Sequence, residues 1–400
     1  MQKLWQKNWQ LNKDVEEFET EDDIALDGHL AYFDVLASLA HAKMLYKIGI
    51  LKKSELAKLQ QGFRKILKLI KAGDFELKIG DEDIHTKIES WLTKNYGEVG
   101  KKIHTGRSRN DQVLTALRLF TKDGLLGIQQ QTLTLAAQFK KFAIKYRLVQ
   151  MPGYTHMQKA MPSSVGIWAG SFAEALYDDA RVIAAAVDLI DQSPLGSAAG
   201  YGVPLKLDRT LTAKLLGFKK VQSNAMYCQN SRGKFEAVVI AALVNALSDI
   251  NRFASDLMLF TTAEFNFFTV DAELCSGSSI MPQKRNLDLA ELLRSVVKKV
   301  TGNYLHVAAL PFDLPSGYNR DLQNCKKPLI ESIKATKRAL NMTSLLLSGI
   351  RPNKKVMGKA CTPELFAAHQ AFKLVREGMS FRDAYHAVGA KMFDPMSKNQ

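Results

Sequence analysis

The stretch FEAVVIAALVNALSDINRFASDLMLFTTAE, residues 235–264, indicates the fold class. Its apolar residues recur every three or four positions, which places them on one face of an α-helix. They are Val238, Val239, Ala242, Leu243, Ala246, Leu247, Ile250, Phe253 and Leu257. The same spacing predicts helices over 27–49, 54–71, 113–147, 164–191, 287–310 and 327–348. The sequence therefore predicts an all-α protein with a central bundle of long helices and small helical end domains.

The helical pattern also suggests a division of the 400-residue chain. We expect an N-terminal helical domain over 1–104, the long-helix bundle over 105–350 and a small C-terminal helical domain over 351–400. Residues 1–26 are charged, and we expect them to be irregular. Convincing alternating strands are absent from the pattern, apart from a short candidate near 265–270.

The charge of the chain suggests an anionic partner. It carries 55 basic and 40 acidic residues, a formal net charge of +15. Nucleic acid, anionic metabolites and a merely solvated basic surface all fit such a charge. The lysines are spread along the chain without interleaved aromatic residues, and no known nucleic-acid-binding motif is present. We therefore expect no nucleic-acid partner.

The cysteines and the apolar runs bear on the compartment. Cys228, Cys275, Cys325 and Cys361 stand far apart without a C-x-x-C pair, so neither a disulfide framework nor a zinc site is expected. The N-terminus lacks the apolar region of a signal peptide, and no apolar run reaches the roughly 18 residues of a membrane span. We expect a soluble, cytoplasmic protein that does not bind a membrane.

Three polar stretches adjoin the predicted helices. In 277–286, GSSIMPQKRN, small hydroxyl residues and Lys284 precede a helix, an arrangement that suits an anion. Taken alone, however, a serine-rich stretch of this kind is more often a plain surface loop. In 104–112, HTGRSRNDQ, Arg109 and Asn110 can bind carboxylates, or the loop can be an elaborate helix cap. The third stretch, 151–162, carries His156 in a loop between two prolines, which favours a functional histidine over a structural one.

A glycine-rich run lies at 194–202, PLGSAAGYG. It lacks the lysine and the spacing of a phosphate-binding loop and does not follow a strand. We therefore predict a tight turn that lets backbone segments pack closely.

Together these stretches carry a resemblance. The segment 277–286 resembles the signature of the fumarase/aspartase superfamily. Within it, the segments 81–85, 104–112, 153–156 and 318–323 are similar to those of the argininosuccinate lyases. The similarity runs in order from about residue 1 to 394. It implies a cofactor-free and metal-free β-elimination of argininosuccinate to arginine and fumarate, the last step of arginine biosynthesis.

The resemblance also implies roles for particular residues. Ser278 would remove the proton next to a carboxylate, with Lys284 and the helix N-terminus activating it and stabilising the carbanion. His156 would serve the leaving guanidino group as an acid. Glu291, seven residues after Lys284 and expected on the same helix face, would pair with His156.

Substrate contacts and assembly follow from the same resemblance. The candidate substrate-binding residues are Ser38, Arg109, Asn110, Thr155, Tyr318, Gln323 and Lys326. Sites in this family combine segments of three subunits of a homotetramer, which explains the distance between the motifs along the chain. The alternatives are a lyase acting on adenylosuccinate or a modified argininosuccinate, and a non-catalytic structural relative.

Three departures from the family pattern stand out. Leu287 occupies a position where many members have proline, and Ser231-Arg232-Gly233-Lys234 replaces the more usual Ser-x-Arg-Asp. The C-terminal region is several tens of residues shorter than is normal for the family. We expect the second departure to change substrate contacts and the third to weaken closure of the active-site loop.

Overall fold

A computed structural model describes residues 12–77, 81 and 83–393. The helices are α1 (Lys13–Lys47), α2 (Lys53–Ala72), α3 (Ile84–Tyr96), α4 (Glu98–Lys101), α5 (Arg109–Lys145), α6 (Val165–Ile190), α7 (Arg209–Leu215), α8 (Ala225–Asn230), α9 (Lys234–Phe260), α10 (Asp288–Ala309), α11 (Lys326–Ser348), α12 (Lys354–Ala360), α13 (Ala367–Arg376) and α14 (Phe381–Phe393). Short two-stranded pairs are the only sheets in this described part. The predicted all-α class is confirmed.

The chain forms two compact units. Unit 1 comprises Met1–Gln129, Arg181–Val244 and Lys299–Lys337, and unit 2 comprises Gln130–Ala180, Asn245–Lys298 and Arg338–Gln400. Helices α5, α6, α9, α10 and α11 each contribute residues to both units. The division into three domains at residues 104 and 350 stays a prediction.

Unit 1 contains a core built by α1, α2 and α3. Val35, Leu45, Phe63 and Ile88 are buried there, and α2 presents Gly62 where a Cβ would lie 2.5 Å from Leu92 Cδ2. The irregular segment expected up to residue 26 is wrong from Lys13 onward. The Asn12 side chain accepts hydrogen bonds from backbone N–H groups in the first turn of α1. Acidic side chains in the same turn interact favourably with the positive end of the helix dipole.

Unit 2 is held by an aromatic cluster. The ring centroids of Phe139 and Phe253 lie 4.9 Å apart, as do those of Trp168 and Phe268. The Trp168 indole N–H donates to the Asp256 carboxylate at 2.8 Å. Aromatic pairs at such separations contribute beyond their buried area, so this cluster fixes how α5, α6 and α9 pack within the unit.

The strands occur as short pairs. They are β1 (Gln150–Thr155) with β2 (Gln158–Ser164), β3 (Gln192–Ser193) with β4 (Lys220–Val221), β5 (Phe268–Val270) with β8 (Ile350–Pro352), and β6 (Ser276–Gly277) with β7 (Arg285–Asn286). The predicted strand near 265–270 is confirmed by β5. The loop predicted over 151–162 is instead the β1–β2 hairpin, in which Pro152 lies opposite Pro162. A two-stranded ribbon tolerates proline because each strand is an edge.

One stretch in the described part, Ala225–Phe260, has the length and hydropathy of a membrane span. It comprises α8 and α9, and 56% of its most apolar window is buried inside the protein. A core helix of a soluble protein passes the same test, so the stretch is weak evidence for a membrane.

Candidate active site

The loop 278–284 is closed at its base by the β6–β7 ladder. Gly277 pairs with Arg285 and Ser276 with Asn286. The Ser276 hydroxyl donates to the Asp288 carboxylate, and the Asn286 amide donates to the Gly277 carbonyl at 3.4 Å. Helix α10 begins at Asp288, directly after this base, so the loop does open a helix as the sequence predicts.

Ser278 is the first residue of the closed loop. Its hydroxyl oxygen accepts hydrogen bonds from the backbone N–H of Met281 at 3.1 Å and from that of Ile280 at 3.4 Å. The side chain is half-buried. Two N–H dipoles aimed at one oxygen stabilise negative charge on it, so this arrangement suits a hydroxyl that has to give up its proton.

Lys284 ends the loop, and its side chain is exposed. Its backbone N–H donates to the Met281 carbonyl at 3.0 Å, which closes a turn within the loop. The expectation that Lys284 and Glu291 share a helix face is wrong, because α10 begins four residues after Lys284. Glu291 lies exposed in the first turn of α10, where its negative charge interacts favourably with the positive end of the helix dipole.

His156 occupies the tip of the β1–β2 hairpin. Thr155 pairs with Gln158, which leaves His156 and Met157 as a two-residue turn, both with positive φ (51° and 60°). A turn of this type matches the twist of the flanking strands but strains residues that are not glycine. The imidazole and the Thr155 side chain are exposed, so the hairpin presents both to solvent.

Residues 156, 278, 284 and 291 all belong to unit 2. Across the described residues, no hydrogen bond or ion pair joins any two of their side chains. The pairing of His156 with Glu291 implied by the resemblance stays a prediction.

In unit 1, Ser38 is part of a buried polar cluster. Its side chain is 1% exposed, and the buried Arg107 guanidinium donates to its hydroxyl at 2.8 Å. His41, one helical turn further along α1, contacts the Thr105 carbonyl through Nε2 at 2.8 Å. Burial, aided by the charge of Arg107, lowers the pKa of His41 to about 3, so the imidazole is neutral and donates this hydrogen bond.

Arg109 and Asn110 begin helix α5. The Arg109 guanidinium forms an ion pair with Asp83, whose carboxylate also caps α3 by accepting the Thr86 N–H at 2.7 Å. The Asn110 N–H donates to the Ser108 hydroxyl at 3.3 Å, and its side chain is half-buried. The helix-cap interpretation and the binding interpretation are therefore compatible, because the Ser108 and Asp111 side chains do the capping and leave the Asn110 amide available.

Tyr318 and Gln323 lie in the segment before α11. The Arg232 guanidinium stacks on the Tyr318 ring at 4.8 Å, and the Gln323 amide donates to the Glu19 carbonyl at 3.0 Å. Gly233 follows Arg232 with φ of 80°, and a Cβ there would lie 2.5 Å from Pro311 Cγ. The departure at 231–234 thus places an arginine against a candidate substrate residue.

Lys326 is the first residue of α11 and is 4% exposed. Its ammonium donates to the Asp27 carboxylate at 2.7 Å, and the other oxygen of Asp27 accepts the Ile84 N–H at 3.3 Å. A buried ion pair with additional hydrogen bonds has a defined geometry. This structure therefore fixes the position of Lys326.

Asp27, Arg107 and Asp111 are not among the candidate site residues predicted from the sequence. All three are buried charged residues close to candidate substrate residues. The signal available in the sequence was their position, Asp27 at the start of a helical pattern and the other two within the polar loop 104–112. Their partners lie up to 299 residues away along the chain, which no local pattern reveals.

A metal centre requires several ligand side chains close together. In the part of the chain that it describes, no group of three or more His, Cys, Asp and Glu side chains is arranged to hold an ion. The expectation of a reaction without metal or cofactor stays a prediction.

The chain is similar to known proteins over nearly its whole length. Residues 7–302 match a family model described as "Lyase". The argininosuccinate lyase of Thermotoga neapolitana is 44% identical over 390 residues, which cover 98% of both chains. That of Bacteroides fragilis (strain ATCC 25285) is 42% identical over 97% of this chain and 87% of the relative, and that of Xylella fastidiosa 41% over 99% and 89%. The chain belongs to the argininosuccinate lyase family.

Solved structures agree with this family. EDDS lyase in complex with formate superposes with a TM-score of 0.83 at 25% identity, covering 96% of this chain and 76% of that chain. The fumarate lyase:delta crystallin from Brucella melitensis bound to cobalt gives 0.79 at 19% identity, over 96% and 91%, and supports the fold alone. The family of fold predicted from the sequence is confirmed.

Proposed function

We propose that this enzyme cleaves argininosuccinate to arginine and fumarate by β-elimination, the last step of arginine biosynthesis. The observation that carries the proposal is the Ser278 loop, closed at its base and holding the hydroxyl oxygen against two backbone N–H groups. The family relatives at 41–44% identity support the substrate.

In the proposed reaction, Ser278 takes a proton from the carbon next to a substrate carboxylate. A serine hydroxyl is a weak base until its oxygen is stabilised as an anion. The N–H groups of Ile280 and Met281 provide part of that stabilisation, and the Lys284 ammonium provides positive charge in the same loop. Lys284 also stabilises the dianionic carbanion that forms when the proton leaves.

The second step breaks the carbon–nitrogen bond. Its electron pair moves to the guanidino nitrogen as the carbanion pair forms the double bond of fumarate. His156 delivers a proton to that nitrogen and later regains one from solvent. The exposed hairpin tip suits this exchange, and Glu291 is proposed to orient the imidazole once the site is assembled.

Substrate binding is proposed for Ser38, Arg109, Asn110, Thr155, Tyr318, Gln323 and Lys326. Cationic Arg109 and Lys326 suit the carboxylates of the substrate, and the amides of Asn110 and Gln323 offer both donors and acceptors. Arg232, stacked on Tyr318, is positioned to add positive charge beside that ring.

We also propose that the enzyme is a cytoplasmic homotetramer. The long helices leave large apolar side chains exposed, among them Ile144 (55%), Ile167 (68%), Leu292 (63%) and Leu305 (62%). Exposed apolar surface of this kind favours association with further copies of the chain. The four cysteines are free thiols, which fits a reducing compartment.

An absorbance assay tests the function. Purified protein is mixed with argininosuccinate, and the ultraviolet absorbance of fumarate is followed while the mass of the assembly is measured. We expect fumarate release by tetramers and none from adenylosuccinate. Normal tetramers without fumarate release would refute the proposal in favour of a structural protein, and cleavage of adenylosuccinate alone would refute the substrate.

A further inference from the structure

The glycine-rich run 194–202 is more than a tight turn. Its backbone has positive φ at Gly196 (87°), Ala198 (52°), Gly200 (106°) and Gly202 (72°). Residues in this conformation can turn successive N–H groups to one side and form a concave site for an anion. Ala198 adopts it although it has a Cβ, which indicates that the surroundings enforce it.

The anion that fills this turn is a side chain of the protein itself. One oxygen of the Asp111 carboxylate accepts the Gly196 N–H at 2.9 Å and the Ala198 N–H at 3.0 Å. The other oxygen accepts the Ser108 N–H at 3.0 Å. Asp111 is completely buried, so all three bonds are shielded from water.

The three bonds join two segments of unit 1. Ser108 belongs to the loop that carries Arg109 and Asn110, whereas Gly196 lies 85 residues after Asp111 along the chain. We propose that Asp111 is a positioning residue that fastens the loop 104–110 to the turn 194–202 and thereby sets the substrate-binding geometry. This inference rests on the proposed function, because it assigns Arg109 and Asn110 to substrate.

The far side of the turn meets a second substrate segment. A Cβ on Gly317 would lie 3.4 Å from the Tyr201 hydroxyl oxygen, and Tyr318 follows immediately. The Gly317 N–H is held by the Asn230 side chain at 2.8 Å. The turn is therefore hydrogen-bonded to Asp111, next to Arg109 and Asn110, and places Tyr201 beside Gly317, the residue before Tyr318.

The turn itself is held firmly. Arg209 donates to the Leu195 carbonyl at 3.0 Å and to the Gln222 carbonyl at 2.7 Å, and a Cβ on Gly196 would lie 2.9 Å from its Cγ. The turn is thus fixed by contacts of its own. Through its hydrogen bonds to this turn, Asp111 restricts the position of the loop that carries the proposed substrate-binding residues.

Substitution of Asp111 tests this role. In Asp111→Asn, an NH₂ group replaces one of the two accepting oxygens and faces backbone donors, and in Asp111→Ala all three bonds are lost. We expect KM for argininosuccinate to rise at least tenfold in Asn and further in Ala, with kcat within about threefold of the parent in Asn. A role confined to stability would lower the active fraction and leave KM unchanged.

Asp208→Asn is the matched control. Its carboxylate accepts the Leu211 N–H at 2.9 Å in the same unit, as a helix cap outside the loop and the turn. We expect this variant to keep the parental KM. A KM in Asp111→Asn equal to that of the control would overturn the proposal.

Amide hydrogen exchange provides a readout independent of activity. In the parent protein, the Ser108, Gly196 and Ala198 amides should be protected, and in Asp111→Asn all three should exchange at least tenfold faster together. Should the variant not fold, equal opening rates of the three amides in the parent still support the tether, and unequal rates refute it. Absence of fumarate release by the parent would instead refute the proposed function, leaving the exchange result to decide on the tether.

Discussion

The candidate residues of the two units differ in how they are held. In unit 1, Ser38, Arg109, Gln323 and Lys326 each contact a defined partner, and Ser38 and Lys326 are buried. In unit 2, His156 lies on an exposed hairpin tip and Lys284 in an exposed loop. The proposed binding residues of unit 1 are thus organised before substrate arrives, whereas in unit 2 His156, the neighbouring binding candidate Thr155 and Lys284 lie on short exposed segments. A lyase needs both fixed and movable residues. Substrate binds more tightly to residues already in position, and closure of the active site requires segments that can move.

The largest effect is expected at Ser278. Removal of the proposed base in Ser278→Ala should lower kcat about 10³-fold, since general bases contribute about 10²- to 10⁴-fold. The melting temperature should be unchanged, because the side chain is half-buried and bonded only within its own loop. Fumarate release and calorimetry measure the two quantities.

The control for this variant is Ser279→Ala, an exposed neighbour in the same loop. We expect the parental rate from it. A Ser278→Ala enzyme as fast as this control would exclude the serine as the base.

Substitution of Lys326 is expected to affect stability, which substitution of Ser278 leaves unchanged. Lys326→Met leaves the Asp27 carboxylate buried without its cation, so the free energy of unfolding should fall by about 3–5 kcal/mol. Lys299, whose ammonium pairs with Glu331 at 3.0 Å on the surface, is the control, and Lys299→Met should cost less than about 1 kcal/mol. Urea unfolding measures the free energy of unfolding of the two variants. An equal decrease in both would contradict the conclusion that the buried Lys326–Asp27 pair holds Lys326 in place.

The lowered pKa of His41 leads us to expect that the stability of unit 1 depends on pH. Its folded pKa of about 3 lies below the ordinary value of 6.5, so the unfolded chain takes up the proton first as the pH falls. Stability is therefore complete above pH 6.5 and declines towards pH 3, by about 2 kcal/mol at pH 5. His41→Gln should keep a donor for the Thr105 carbonyl and flatten this decline.

The exposed His306 is the reference for that measurement. His306→Gln should leave the pH profile of unfolding as it is in the parent. A His41→Gln profile that matches this reference would show that the buried imidazole does not govern acid stability.

The smallest effect is expected at the hairpin tip. Met157 has φ of 60°, a conformation that glycine adopts without strain, so Met157→Gly should raise the free energy of unfolding by about 0.5–1 kcal/mol. Met157→Ala removes the same contacts and keeps the strain, so thermal unfolding should show no gain for it. Identical melting temperatures for the two variants would contradict this account of the turn.

Much of the fold could be predicted from the sequence because long helices repeat their signal many times. The predicted segments 164–191, 287–310 and 327–348 correspond to α6 (Val165–Ile190), α10 (Asp288–Ala309) and α11 (Lys326–Ser348). The β1–β2 hairpin was missed because its strands are short, polar and interrupted by proline. Only pairing across the turn, with Pro152 opposite Pro162, reveals it.

The candidate site was predictable by motif and unpredictable in its supporting contacts. Ser278 and His156 lie in segments whose composition is unusual, a stretch rich in small hydroxyl residues and a polar stretch between two prolines. The Asp27–Lys326 pair and the contact of Asp111 with Gly196 join residues 299 and 85 positions apart. Such contacts depend on which helices meet, and helix periodicity gives only the face that each helix buries.

The β6–β7 ladder has a consequence for timing. It pins both ends of a seven-residue loop, 278–284, so the conformational search for closure is confined to that length. Chain segments of about ten residues close in roughly 10–100 ns, whereas a typical enzyme turns over about ten times a second. Rearrangement within this loop alone is therefore some millionfold too fast to limit turnover. A slow step in the catalytic cycle has to lie in the chemistry, in product release or in the motion of larger elements.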